Sequence, residues 1–177
     1  MKRKDIVKKA LKFATKAHEG QTRKYTGEPY VNHPIAVARL VKKVSDDKRM
    51  EAAALLHDVV EDTDVTIEEI IEEFGVFIGS LVADLTDVSK PEDGNRGIRK
   101  DIDFNHTEKA SASAKTIKLA DLIDNTSSIV EADEGFARIY MTEKRRLLTV
   151  LEEGNIALLS MAEHMVEEYF RNEEMNA

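Results

Sequence analysis

The sequence contains no cysteine, and this absence removes several kinds of chemistry at once. Disulfide bonds, thiolate metal sites and thiol nucleophiles are excluded, so any bound metal ion must be held by nitrogen and oxygen atoms. No hydrophobic run approaches the roughly 20 residues that a membrane-spanning helix needs. We therefore expect a cytoplasmic protein that does not bind a membrane.

Basic residues are outnumbered by acidic ones. The 177 residues include 26 Lys and Arg against 34 Asp and Glu, which gives a formal net charge of -8. An acidic protein binds nucleic acid poorly, so we expect no nucleic-acid partner. For the same reason, an anionic substrate would need a local basic patch or a bound cation. The sequence does not specify an oligomeric state.

Apolar residues recur at helical spacing through most of the chain, and no strand-like alternation, repeat or low-complexity tract of useful length is present. We predict a single all-α domain over residues 1–177. The segment Ser89 to Asn105 is predicted to be a long loop because it contains Pro91, Gly94 and Gly97. Helices are predicted at about 6–17, 34–44, 47–61, 67–74, 76–85, 111–129, 136–152 and 155–170.

The third predicted helix carries the motif His57-Asp58-Val59-Val60-Glu61-Asp62. In a continuous helix the histidine and the three carboxylates lie on one side, and the two valines turn largely away. A solvated acidic face is the ordinary interpretation of such a pattern. However, the apolar neighbours indicate burial, and acidic residues near a helix C-terminus oppose the macrodipole by ~0.3–1 kcal/mol each. The pattern therefore favours a cation-binding face.

Two further polar residues stand where they can complete a metal site. His33 precedes Pro34 at the start of a predicted helix, and Asp121 lies in a helix that is otherwise apolar. Taken alone, each is more often a packing or hydrogen-bonded group than a ligand. Together the four residues supply two imidazoles and two carboxylates, a set that suits Mn, Fe, Co or Zn: His33, His57, Asp58 and Asp121.

The order of these motifs resembles the hydrolase domain of RelA/SpoT proteins. The resemblance runs from about Ala14 to Leu148 and includes Arg23-Lys24, Gly27-Glu28-Pro29-Tyr30, His33, the segment 57–63 and Lys118-Leu119-Ala120-Asp121. Since no synthetase or regulatory region follows, the chain is most similar to the stand-alone small alarmone hydrolases. The resemblance implies an HD-domain fold with a central metal site.

The resemblance also implies a reaction, namely removal of the 3′-pyrophosphate from a hyperphosphorylated nucleotide, (p)ppGpp or (p)ppApp. It implies Mn²⁺ held by the four ligands above, with Glu61 and Asp62 matching the pair that positions or activates the attacking water. This agrees with the residue types, because a metal lowers the pKa of bound water and a nearby carboxylate accepts a proton.

Several residues of a nucleotide pocket follow from the same resemblance. Asn125 matches a ribose contact, and Ser128 lies where a threonine often stands near the nucleoside. Arg23 and Lys24 match residues beside the base. The chain has Thr126-Ser127 where the family usually has an apolar residue and an arginine, so guanine and adenine both remain candidates.

The phosphate contacts are less closely matched. Tyr140 and Lys144 fall near the places of an arginine and a tyrosine that contact phosphate and base in animal relatives. Among the basic residues of the predicted loop, Arg99 and Lys100 are expected to face the terminal phosphates, because a pyrophosphate leaving group carries more charge than one divalent ion neutralises.

Two other interpretations stay open. An HD site can act on another substrate, such as a nucleoside monophosphate, a cyclic phosphodiester or the 2′-phosphate of NADPH. Alternatively, the protein is a non-catalytic alarmone sensor. The pairs Arg23-Lys24 and Glu61-Asp62, which a generic HD phosphohydrolase does not need, argue against the first two of these substrates. The complete set of ligands and carboxylates argues against an idle site.

Overall fold

A computed structural model describes the backbone of residues 3–176 and the side chains of residues 6–175. Within that range the regular structure is helical, which confirms the predicted all-α class, and a single β-bridge joins Thr22 to Pro29. None of the described helices combines the length and apolar character required to cross a bilayer. The α-helices are α1 (Arg3–Ala17), α2 (Asn32–Val44), α3 (Lys48–Leu56), α4 (Val59–Asp62), α5 (Ile67–Phe74), α6 (Val76–Leu85), α7 (Arg96–Glu108), α8 (Ala112–Ala132), α9 (Glu134–Leu148) and α10 (Ile156–Asn176), and a 3₁₀ turn lies at Pro91–Asp93.

Helices α3 and α8 lie at the centre of the fold. The residues Ala52 to Leu56 of α3 are all buried, and α3 packs against α1, α2, α6 and α8. Its three consecutive alanines let neighbouring helices approach closely, because the distance between helix axes depends on side-chain size at the contact. Helix α8 packs in turn on α2, α6, α9 and α10. The two central helices lead directly to the motif residues.

Local capping signals fix several helix ends where the sequence predicts them. The capping box at the start of α5 is present, with the Thr66 hydroxyl accepting from the Glu69 amide and the Glu69 carboxylate accepting from the Thr66 amide. Gly75 ends α5 at a φ of 88°, a conformation that favours glycine. Pro34 lies in the first turn of α2, where its missing N–H costs no helical hydrogen bond.

The prediction of one continuous helix over residues 47–61 is wrong. Helix α3 ends at Leu56, and α4 begins at Val59, so His57 and Asp58 form the junction between them. Asp58 has φ -96° and ψ -5°, close to the sparsely populated bridge region in which active-site residues often lie. The apolar spacing of the sequence runs through this junction unchanged and therefore gives no sign of it.

The prediction of a loop over residues 89–105 is also wrong. Residues from Arg96 onward form helix α7, which begins where the Asn95 side chain accepts a hydrogen bond from the Ile98 amide. The helix was not recognised because its fully buried positions are polar: Asp103 and Thr107. A helix that buries polar side chains lacks the apolar stripe on which sequence interpretation depends.

Asp103 attaches the segment before α7 to the helix. Its carboxylate accepts hydrogen bonds from the amides of Val88 and Ser89, at 3.1 and 2.9 Å, and from the Ser89 hydroxyl at 2.8 Å. The side chain is buried, at 5% residue exposure. Because a buried carboxylate needs hydrogen-bond donors and residues 88 and 89 supply three of them, this contact holds the connection between α6 and α7 in one conformation.

The substitution Asp103→Ala is expected to lower the free energy of unfolding by about 2 to 4 kcal/mol, since two backbone amides lose their acceptor. Urea-induced unfolding measures the change. The matched control is Asp101→Ala on the exposed side of α7, where a surface ion pair with Arg146 contributes less than about 1 kcal/mol. Equal effects of the two substitutions would show that Asp103 does not hold this segment.

Candidate metal centre and active site

Three separated chain segments bring the four predicted metal ligands together. His33 comes from the first turn of α2, His57 and Asp58 from the α3–α4 junction, and Asp121 from the middle of α8. Ligand atoms of His33, His57 and Asp58 all lie within 4.8 Å of one another. Asp121 Oδ1 lies 3.1 Å from His33 Nε2 and 3.7 Å from His57 Nε2, so the fourth residue borders the same space.

Each ligand residue is oriented by a second group. His57 Nδ1 lies 2.9 Å from the Ala54 carbonyl oxygen, and the Tyr30 hydroxyl donates to Asp58 Oδ2 at 2.8 Å. The amide of Asn125 donates to Asp121 Oδ1 at 2.7 Å. Partners of this kind hold metal ligands in a fixed orientation and are as much part of a metal site as the ligands themselves.

The site concentrates charge in a buried space. Burial opposes ionisation of Asp58, but the adjacent His57 holds the pKa of that carboxyl down at about 2. Burial acts in the same way on Asp121, and Lys118, whose Nζ lies 3.3 Å from Asp121 Oδ2, holds its pKa well below the usual range. Both carboxylates are therefore anionic near neutral pH.

The donor set fits a divalent transition-metal ion. His57 Nε2 is buried and has no hydrogen-bond partner, although it faces Asp58 Oδ1 at 3.1 Å. Because Nδ1 lies next to the Ala54 carbonyl, an ion that displaced the Nε2 proton would find Nδ1 still protonated and a lone pair on Nε2. Two imidazole nitrogens and two carboxylates directed at one space are ligands that such an ion prefers.

Glu61 and Asp62 lie on α4, one turn beyond Asp58, at the solvent side of the site. The Asp87 amide donates to Glu61 Oε2 at 3.2 Å. Desolvation and the Asp87 carboxylate raise the pKa of Glu61 to about 7. Desolvation raises the pKa of Asp62 as well, against the opposing effect of a hydrogen bond from Tyr30. A carboxylate that titrates near neutrality is suited to exchanging protons.

Three of the predicted nucleotide contacts lie together beside the metal-ligand residue Asp121. The Arg23 guanidinium donates to Asn125 Oδ1 at 3.1 Å and to Ser128 Oγ at 2.9 Å, and both acceptors belong to α8. Lys24 does not join them, because its exposed ammonium lies over the Tyr25 ring and donates to that hydroxyl at 3.1 Å. Consecutive residues of this bend thus face different ways.

The remaining predicted contacts line two adjoining cavities. Lys100, Tyr140 and Lys144 border a cavity of about 220 Å³ between α7, α8 and α9, which Asp121 and Asn125 also line. Arg99 borders a second cavity, of about 400 Å³, together with Glu61 and Lys100. The Arg99 Nε is buried without a hydrogen-bond partner.

Sequence interpretation assigned no role to two residues of this site, Tyr30 and Asp124. Asp124 Oδ2 lies 2.7 Å from His33 Nδ1, and Arg23 NH1 donates to the same oxygen at 2.8 Å. A signal for Asp124 was available, because it stands three residues after Asp121 and shares its helix face. The contact of Tyr30 with Asp58 depends on tertiary structure and leaves no local pattern.

Residues 10–145 match the HD domain family, and the chain belongs to it. A solved structure of a metazoan SpoT orthologue, described as hydrolysing ppGpp, is similar with a TM-score of 0.83 and 30% sequence identity over 93% of this chain and 95% of that one. The HD-domain fold that the sequence predicts is thereby confirmed.

Two curated relatives share most of the domain. The guanosine-3′,5′-bis(diphosphate) 3′-pyrophosphohydrolase of Xenopus tropicalis is 38% identical over 126 residues, which are 68% of this chain and 67% of that protein. The Drosophila melanogaster enzyme of the same name is 42% identical over 118 residues, 65% of this chain and 64% of the relative. The chain covers only 11% of a much longer relative from Synechocystis sp., a probable enzyme of the same name, at 48% identity over 85 residues.

A divalent ion such as Mn²⁺ is expected to stabilise the protein, because it binds the folded arrangement of ligands and not the unfolded chain. At a concentration 100 times its Kd the gain is about 2.7 kcal/mol, measured as a rise in the thermal unfolding temperature that a chelator reverses. Asp121→Ala should lose this rise, whereas Asp46→Ala, which removes an exposed carboxylate, should keep it. A full Mn²⁺ response in the Asp121 variant would place the ion elsewhere.

Proposed function

We propose that the protein is a Mn²⁺-dependent 3′-pyrophosphohydrolase of hyperphosphorylated nucleotides, (p)ppGpp, (p)ppApp or both, and that it releases pyrophosphate. The observation that carries this proposal is the adjacency of three groups along α4 and α8. Asn125 contacts both the ligand residue Asp121 and Arg23, which also contacts Ser128. Glu61 follows the ligand residue Asp58 on α4 and borders a cavity that shares Lys100 with the cavity lined by Asp121. The names of the two animal relatives support the same reaction.

The ion would be held by His33, His57, Asp58 and Asp121. When bound, it supplies Lewis acidity that lowers the pKa of a water molecule and offsets phosphate charge. Two imidazoles and two carboxylates suit Mn²⁺, and another divalent transition metal can replace it. Tyr30 and Asn125 keep the two carboxylates in place through the hydrogen bonds described above.

Glu61 acts as the general base in this proposal. Water adds to the phosphorus next to the ribose, its proton passes to the Glu61 carboxylate, and the bond from that phosphorus to the ribose 3′ oxygen breaks. The 3′ oxygen leaves with the nucleoside and takes up a proton. Asp62, which interacts with Tyr30, orients the water beside Glu61. A base whose pKa is about 7 is matched to reaction near neutral pH.

The cavity between α7, α8 and α9 is suited to the phosphates. Arg96 and Lys100 on its border are paired with Glu143 and Asp87. Among the side chains that the structure describes, Lys144 has no carboxylate partner. It donates to the Leu122 carbonyl at 3.3 Å and to the Thr126 hydroxyl at 2.5 Å, and burial lowers its pKa to about 8. An anionic phosphate would supply the missing countercharge.

We infer in addition that residues 1–177 act as one HD-domain unit in the cytoplasm, on a small-molecule nucleotide, with neither nucleic acid nor a membrane as partner. The net charge of -8 and the absence of cysteine support this. Arg96, Lys100 and Lys118 of the proposed pocket are each paired with a carboxylate, which offsets their positive charge.

Pyrophosphate release from ppGpp and ppApp, with Mn²⁺ and with a chelator, tests the proposed function. We expect Mn²⁺-dependent turnover of at least one alarmone and none of NADPH or a nucleoside monophosphate, which serve as controls. Hydrolysis of a control alone would keep the metal site and reject the alarmone as substrate. Tight alarmone binding without turnover of any compound would favour the sensor interpretation.

The rate is expected to fall as the pH drops below about 7, because Glu61 accepts a proton only in its ionised form and its raised pKa places that change there. A profile of kcat against pH at saturating Mn²⁺ measures it. Glu61→Gln should keep Mn²⁺ binding and lose turnover by about 10² or more. If Glu61→Gln turns over at the unsubstituted rate, the role assigned to Glu61 is wrong.

A further inference from the structure

Asp124 connects the metal centre to the nucleotide-binding residues through one oxygen atom. Its Oδ2 lies 2.7 Å from Nδ1 of His33 and accepts from Arg23 NH1 at 2.8 Å. The carboxylate is largely enclosed, with 23% of its side chain exposed. Asp124 itself does not face the space between the metal ligands, because the oxygen that contacts His33 is on the far side of the ring.

On the histidine side, Asp124 fixes which nitrogen carries the proton. A carboxylate accepts a hydrogen bond from Nδ1–H, and this leaves the lone pair of Nε2 directed at the space shared with Asp58 and Asp121. His57 obtains the same orientation from a neutral acceptor, the Ala54 carbonyl. His33 lies in the first turn of α2, so no preceding helical turn offers its ring a backbone carbonyl as acceptor. The orientation of His33 therefore depends on the Asp124 side chain.

On the arginine side, Asp124 completes a set of three acceptors on α8. Arg23 NH1 donates to Asp124, and NH2 donates to Asn125 and Ser128. The main chain of Arg23 is held as well, because its amide donates to the Glu28 carbonyl at 2.8 Å and its carbonyl accepts from the Gly27 amide at 2.9 Å. The bend of residues 23–28 is therefore attached to α8 through this guanidinium.

We propose that Asp124 is a positioning residue that couples the two halves of the active site: it orients His33 toward the metal ion and holds Arg23 at the nucleotide. The proposal rests on the proposed function for its nucleotide half, whereas its metal half requires only that His33 binds an ion. Both contacts use the same oxygen, Oδ2. A shift of the bend that moves this oxygen therefore changes the hydrogen bond with His33. A rotation of His33 that moves it changes the hydrogen bond from Arg23.

Two substitutions separate the hydrogen bonds of Asp124 from its negative charge. Asp124→Ala removes both, and we expect Mn²⁺ affinity to fall about 10- to 100-fold, the usual effect of losing such a partner. Asp124→Asn can keep an oxygen at the Oδ2 position, which still accepts from both His33 and Arg23, but it removes the negative charge. It should retain most of the Mn²⁺ affinity, while KM for the alarmone rises about tenfold because the hydrogen bond from Arg23 is no longer charge-assisted.

The matched control is Glu131→Ala, which removes an exposed carboxylate from the same helix and should change neither quantity. Mn²⁺ affinity is measured by calorimetry, KM by pyrophosphate release at saturating Mn²⁺, and folding by thermal unfolding without metal. Mn²⁺ affinity of Asp124→Ala equal to that of the control overturns the proposal. So does a KM equal to that of the control in both variants, which would leave Arg23 independent of Asp124.

Failure of the proposed function gives a different result. If the unsubstituted protein binds Mn²⁺ but hydrolyses no alarmone, the reaction is rejected. A weaker Mn²⁺ affinity in Asp124→Ala, with the affinity kept in Asp124→Asn, then still supports the positioning of His33. If alarmone is hydrolysed and both variants bind Mn²⁺ and substrate like the control, the reaction stands and the positioning role is rejected.

Discussion

The half-buried carboxylate of Asp58 and the buried carboxylate of Asp121 must be balanced by positive charge, and this requirement connects the separate parts of the structure. An isolated ionised carboxylate is very costly to bury. Here each one faces both buried imidazoles, and Lys118 adds a positive charge beside Asp121. Since the four ligand residues come from three segments far apart in the chain, the balance holds only when those segments pack in one arrangement.

The packing of the two central helices, α3 and α8, produces that arrangement. The alanines of α3 and the apolar face of α8 bury against their neighbours, and both helices direct their polar residues toward the same region. Surrounding groups then fix the ligands: Tyr30 holds Asp58, Asn125 holds Asp121, and the Ala54 carbonyl holds His57. The result is a rigid set of donors, which is what tight binding of a metal ion needs.

Much of the candidate metal site could be predicted from the sequence, because the residue types alone restrict which ligands a metal ion can have. Histidines and acids in apolar segments indicate a metal site, and the resemblance to RelA/SpoT hydrolases links His33 to His57 and Asp121 across the chain. The capping box at Thr66 could be predicted for a similar reason, since all its partners lie within four residues.

The features that escaped prediction depend on tertiary structure. The junction at His57 leaves the apolar spacing unchanged, and α7 lacks a stripe of buried apolar residues because its buried Asp103 binds the preceding segment. Asp124 could be placed on the face of Asp121 but not against His33, which is 91 residues earlier in the chain. The side chains of Arg23 and Lys24 point in different directions although the two residues are adjacent in the chain.

The most direct test of this account is anomalous diffraction at the manganese edge from crystals of the protein grown with Mn²⁺. The account predicts one strong anomalous peak bonded to His33, His57, Asp58 and Asp121, with Asp124 still in contact with the far nitrogen of His33. A peak bound by other residues, or an ordered structure in which these four side chains surround no ion at saturating Mn²⁺, would contradict it.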